Sequence, residues 1–122
     1  MSGFYVTIEI GHAAAERFEP LRAMVDTGAP WTWLPADILE RLDHKPRFQR
    51  GLQTTDGRMI ERDAGVVPIR IGDEVIPNIC VFGDPGGYVL LGATTLESFS
   101  LAPDPVNERL VPVAGMLMSL FD

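Results

Sequence analysis

Basic side chains are few in this 122-residue chain: ten Lys and Arg stand against seventeen Asp and Glu, a formal net charge of −7. A protein that gathers phosphates needs the opposite sign, so nucleic acid is not an expected partner. Cysteine is nearly absent. The lone Cys80 cannot close an internal disulfide, and its apolar run Ile79-Cys80-Val81-Phe82 reads as a buried strand, not a reactive thiol. A reducing, cytoplasmic compartment fits that usage. Long apolar runs are also missing. The best candidate, residues 113–121, is about half of the ~20 residues a spanning helix needs, so no membrane partner is expected. The first ten residues show no basic segment followed by a long apolar one, so no secretory leader is expected.

Several chemistries lack their residues too. His12 and His44 stand far apart with no ligand pair at helical spacing, and one cysteine cannot make a structural zinc site. No serine sits in a Gly-x-Ser-x-Gly turn. The glycine-rich stretch at residues 83–87 has no lysine and leads into a strand, so it is no phosphate cradle and reads as a loop. Neither a metal nor a cofactor is expected. The acidic residues Asp37, Asp43, Asp56, Asp63, Asp73 and Asp84 lie in polar or turn contexts and read as solvated.

The residues that are present describe an ordinary compact protein, 46% apolar and 22% charged. The length predicts one domain, residues 1–122, with no second lobe. Residues 4–10 alternate, with Phe4, Val6, Ile8 and Ile10 on one face, as in a half-buried strand. A hairpin loop at residues 11–20 returns the chain to a strand at 21–25, and a tight loop follows at 26–30. Pro35 opens a short helix over residues 36–42. Residues 52–55 and 59–63 flank Asp56 and Gly57, which supply the backbone a hairpin turn requires. Strand-like runs at 66–71 and 74–82 meet at Gly72 and Asp73, with Pro68 and Pro77 suggesting edge or bulge positions. A further apolar run at 88–91 ends at Gly92, before a short helix at 94–99 and strands around Leu101 and Leu110. The expected fold class is mainly β, a barrel with one or two short helices.

The most informative stretch is Ala23-Met24-Val25-Asp26-Thr27-Gly28-Ala29, an apolar strand delivering a carboxylate into a turn of small residues. Leaving a buried strand, Asp26 is partly desolvated, and its ionised form needs backbone N–H groups or the Thr27 hydroxyl for compensation. Taken alone, an Asp before Thr-Gly is most often a turn-stabilising residue. Here Leu90-Leu91-Gly92 follows downstream, with a hairpin at residues 54–62 between the two.

This combination resembles the retropepsin-like branch of the aspartic proteases, whose motif is Asp-Thr-Gly-Ala after a short apolar run. The Leu90-Leu91-Gly92 element looks like the family's hydrophobic-hydrophobic-Gly segment that packs against the catalytic loop, and the hairpin lies where the family keeps its flap. The resemblance runs from the first strand to the Asp104-Pro105 turn. It implies an acid-protease barrel with one lobe per chain. It also implies an endopeptidase acting on a peptide or protein substrate, with Asp26 catalytic and Thr27 and Gly28 supporting the catalytic loop. Substrate would meet Ala29 and the flap residues Asp56, Gly57, Arg58 and Met59, while Trp31 or Trp33 could shape a pocket. Since Asp-Thr-Gly occurs once, the second carboxylate would come from another copy across a two-fold axis, giving a homodimer. The family's terminal strands build much of the dimer, which marks the apolar tail, residues 113–122, as interface. This hairpin departs from the glycine-rich flaps of the family by having only Gly57 at its tip, and Pro30 stands where polar residues are common. A second reading keeps the fold without cleavage, as a peptide-binding or assembly module.

Overall fold

The computed structural model describes residues 3–114. Nine strands and two short helices occur among them: β1 (Tyr5–Gly11), β2 (Phe18–Val25), β3 (Thr32–Pro35), α1 (Ala36–Arg41), β4 (Phe48–Gln53), β5 (Met59–Ile71), β6 (Glu74–Gly83), β7 (Leu90–Leu91), α2 (Ala93–Ser98), β8 (Leu101–Asp104) and β9 (Arg109–Pro112). Seven strands form one sheet in the order β1-β2-β7-β3-β6-β5-β4, and β1 also pairs with β5, which bends the sheet back on itself. The mainly β, barrel-like class read from the sequence is what forms. β8 and β9 make a separate hairpin.

Alternation in β1 places Ile8 and Ile10 inside, with Tyr5 and Thr7 outside. Opposite them, Ala23 and Val25 of β2, Leu34 of β3, Val67 and Ile69 of β5, Leu91 of β7 and the helix residues Leu39, Leu96 and Phe99 complete one core. Cys80 belongs to that core, and burial pushes its thiol far above the ordinary range. The second strand begins earlier than its sequence suggests, at Phe18, because each residue from 18 to 24 finds a partner on β1.

β5 is the long member. Its first half pairs with β4 in a projecting hairpin, its second half touches β1, and β6 runs beside it from Ala64↔Val81 to Ile71↔Glu74 without a slip. There is therefore no bulge at Pro68 or Pro77, which face each other. Counted back from the two-residue turn at Gly72, whose φ is +63°, Pro68↔Pro77 is a non-hydrogen-bonded pair. Neither ring thus removes a bond between the two strands. The edge half of the expectation holds instead. β3 joins β6 only from Cys80 onward, and β1 joins β5 only at Ile69 and Arg70.

The two histidines act structurally, at the loop between β1 and β2. Nε2 of buried His44 lies 2.7 Å from the Gly11 carbonyl. His12 Nδ1 accepts the Ala14 N–H at 3.1 Å, so its proton sits on Nε2 and is donated to Asp43 at 2.7 Å. That bond holds the Asp43 carboxyl below the usual carboxylate range. No helix among the described residues is long and apolar enough to cross a membrane. From residue 115 onward, the tail assigned to an interface lies outside the described residues.

Candidate active site

The floor of the site lies where pairings of opposite direction meet. β7 runs parallel to β2, with Met24↔Leu90 and Val25↔Leu91, and antiparallel to β3, with Trp33↔Leu90. Residues 26–31, which join β2 to β3, must therefore cross the point where β7 turns into α2. Three backbone bonds hold this crossing: Asp26 N–H to Leu91 O at 3.0 Å, Ala93 N–H to Ala29 O at 2.8 Å and Thr94 N–H to Pro30 O at 3.0 Å.

Gly92 lies directly beneath the crossing. A Cβ there would stand 2.4 Å from the Trp31 carbonyl carbon and 2.9 Å from Ala29 O. Its φ of −89° is available to any residue, so space, not backbone freedom, demands glycine. The Gly92 N–H donates to Thr32 Oγ1 at 3.0 Å, and that hydroxyl shares a second hydrogen bond, 2.7 Å long, with Thr95 Oγ1. Both threonines are wholly buried, and each satisfies the other, as buried hydroxyls must. Leu90, Leu91 and Gly92 thus sit against the Asp26 loop.

Above this floor Asp26 is half-buried, and its Oδ1 accepts the Gly28 N–H at 2.9 Å. That bond orients the carboxylate and supplies the backbone donor its charge requires. Thr27 and Gly28 are exposed on the lip of the loop, while Ala29 is half-buried.

The β4–β5 hairpin forms the roof. Its end is a three-residue loop, Thr55-Asp56-Gly57, closed by Thr54 N–H to Arg58 O at 2.8 Å and Gly57 N–H to Thr54 O at 2.9 Å. Gly57 takes φ +87°, with no atom of the described residues within 4 Å of where its side chain would stand, the positive-φ residue a three-residue hairpin loop ends on. Asp56 accepts from the Thr54 hydroxyl and from the N–H and guanidinium of Arg58. Thr54 first, and Arg58 after it, hold the Asp56 carboxyl below the usual range.

Between floor and roof lies a cleft of about 310 Å³, lined by Asp26, Gly28, Ala29, Pro30, Trp33 and Leu90 below and by Leu52, Gln53, Thr54, Thr55 and Ile60 above. Leu52 and Ile60 are paired across the hairpin and supply the apolar part of the roof. Asp56, Gly57, Arg58 and Met59 stand at the exposed tip, beyond this lining. A second hollow of about 270 Å³ shares Trp33 and Leu90 with the first and adds Gly83, Asp84, Gly87 and Tyr88. Sequence reading singled out Asp26, Ala29, Trp33 and Leu90 but passed over Leu52, Thr54, Thr32 and Thr95. Counting alternate residues back from the turn finds Leu52 and Thr54. No local signal marks the threonine pair, whose members are 63 positions apart.

Comparison with known proteins follows the same outline. Residues 16–98 match the family described as gag-polyprotein putative aspartyl protease. Among solved structures, EIAV protease complexed with the inhibitor HBY-793 superposes with a TM-score of 0.61 at 22% identity, covering 80% of this chain and 88% of that one. The solution structure of simian foamy virus (mac) protease superposes with a TM-score of 0.55 at 21% identity, covering 78% and 93%. No curated protein matches the sequence.

Proposed function

The chain belongs to the gag-polyprotein aspartyl protease family, and from that premise we propose that it is an aspartic endopeptidase whose active site is completed by a second copy of itself. The observation that carries this reading is the placement of Asp26. Its carboxylate is oriented by the Gly28 amide, opens onto a cleft roofed by a hairpin, and belongs to a loop whose Thr27 and Gly28 are exposed among the described residues.

Each chain offers one Asp-Thr-Gly loop, so the dyad needs an isologous pairing in which two Asp26 loops meet on a two-fold axis. Two adjacent carboxylates do not both ionise cheaply and hold one proton between them, a behaviour for which aspartic proteases are the standard example. The ionised member takes a proton from water as the water attacks the scissile carbonyl. The protonated member hydrogen-bonds the carbonyl oxygen, and the pair then returns a proton to the leaving amine. Thr27 would bond across the axis to steady the two loops. An extended peptide would lie along the cleft by main-chain hydrogen bonds, against Gly28 and Ala29 below. The tip residues Asp56, Gly57, Arg58 and Met59 would meet it once a second hairpin completes the roof.

The same proposal treats residues 1–122 as one domain, assigns its tail at 113–122 to the interface, and sets the protein in a reducing compartment such as the cytoplasm, in keeping with its single buried thiol. Asp26→Asn tests it. The variant should keep its secondary structure and its dimer mass while peptide cleavage falls by at least about a hundredfold, the scale of general acid–base catalysis. Cleavage at the wild-type rate would remove Asp26 from the mechanism. Tight peptide binding by an intact wild-type dimer that never turns over would establish the non-catalytic peptide-binding module instead.

A further inference from the structure

Arg50 of β4 and Arg62 of β5 are direct cross-strand partners in the hairpin. Both are half-buried on its inward face, in line with Leu52 and Ile60. Like charges placed opposite each other on one face of an antiparallel pair repel, so the arrangement needs compensation from outside the hairpin. The barrel provides it. Arg62 lies over the Trp33 ring, 5.7 Å from its centroid, and donates from Nη1 to the Asp84 carboxylate at 2.9 Å. Arg50 lies over the Trp31 ring of the barrel at 5.7 Å and over Phe48 of its own strand at 4.4 Å, and its Nη1 donates to the Gln49 carbonyl at 3.1 Å. It meets no carboxylate among the described residues. A guanidinium over an aromatic face is attracted by the ring's negative quadrupole, and more strongly where water is partly excluded.

Trp31 and Trp33 flank Thr32 at the exit of the Asp26 loop, and Trp33 is a wall shared by the cleft and the adjoining hollow. Arg62 therefore joins three parts of the site: the stem of the roof, the shared aromatic wall and the loop that carries Asp84. That loop is tied in turn to α1, where the Gly86 N–H donates to Asp37 Oδ1 at 3.0 Å. We infer that Arg62, with Asp84, and Arg50 are positioning residues that dock the stem of the hairpin onto Trp33 and Trp31. The cleft then opens by its tip, from residues 52 to 60, while the stem stays seated and Trp33 keeps one orientation toward a bound side chain. The kinetic consequence rests on the proteolytic reading above, whereas the docking itself does not.

The test uses the full chain without ligand and then with a cleaved peptide. Arg62→Met and Arg50→Met keep the apolar length of each side chain but remove its charge. Amide hydrogen exchange across residues 48–51 and 61–64 should quicken about three- to tenfold in each variant, and KM should rise by a similar factor with kcat within about twofold. Arg62→Lys should recover part of both effects, because a lysine can reach Asp84 but cannot stack as a plane. Should Arg62→Met fail to fold, Asp84→Asn removes only the ion pair and should give the same changes at about two- to threefold. Unchanged exchange across the stem in the folded charge-removal variants overturns the inference, whatever the kinetics. Altered exchange with unchanged KM overturns the link to Trp33 and the cleft. Cleavage retained by Asp26→Asn would overturn the proteolytic reading alone, since the exchange result does not depend on it.

Discussion

Gly92 and Gly57 mark the two halves of the site, and glycine is needed at each for an opposite reason. Gly92, in the floor, has an ordinary backbone but no room, with a Cβ 2.4 Å from Trp31. Gly57, at the tip of the roof, has open space around it but a φ of +87°. The floor is over-determined. Crossing backbone bonds, a buried hydroxyl pair and close approach all fix Asp26 in one place. The roof is held by local polar bonds at its tip and by two arginines at its stem. Its residues are mostly half-buried or exposed, so ordering it costs entropy that little buried area offsets. On the proteolytic reading proposed above, this division would hold the Asp26 carboxylate in place and leave any movement to the hairpin over the cleft.

The contrast breaks most visibly at Gly92. Gly92→Ala should destabilise the protein by about 3 kcal/mol or more, because the new methyl meets backbone atoms that cannot step aside. The urea midpoint measures this. Gly57→Ala should cost only about 1 kcal/mol, through φ alone, and comparable losses for the two would erase the distinction between floor and roof.

Thr32→Val probes the floor more gently. It conserves shape but strands the Gly92 N–H and one hydroxyl of the pair, so about 1 to 3 kcal/mol should be lost. If Thr32 matters only through packing, the melting temperature will hardly move.

The smallest effect belongs to the tip. Asp56 has a lowered pKa in the folded chain, so its contribution is present above the ordinary value of 3.8 and is lost as the pH falls through the lower, folded value. An NMR titration of its carboxyl should find a midpoint under 3.8, with the tip amides at residues 54–58 exchanging faster only below that point. At mildly acidic pH the turn should stay closed, and Asp56→Asn should loosen it there with no change in the Asp26 loop. A midpoint at or above the ordinary value would detach Asp56 from the rigidity of the turn.

Much of this is legible in the order of residues alone. Alternation gave the first strand, Asp56-Gly57 gave the hairpin turn, and Pro35 gave the start of α1. The sequence split β5 in two, near Asp63, because Glu61, Arg62 and Asp63 interrupt its apolar pattern. The strand continues because β4 pairs with it on one side and β6 takes over on the other. β4 was missed at Phe48 for a related reason. Its inward position 50 is an arginine, and a hydrophobic pattern cannot show that a charge points inward when its partner is a tryptophan from another strand.

The order of residues along the chain determined the local elements and the position of the Asp26 turn. Both follow from neighbours and spacing. Only the folded sheet decided that Gly92 sits beneath Ala29 and Trp31, that Thr32 meets Thr95, and that Arg50 and Arg62 find Trp31 and Trp33. Those contacts join residues distant in sequence through strands running parallel and antiparallel to one another. Close approach and the desolvation of polar groups depend on three-dimensional neighbours that no window of sequence contains.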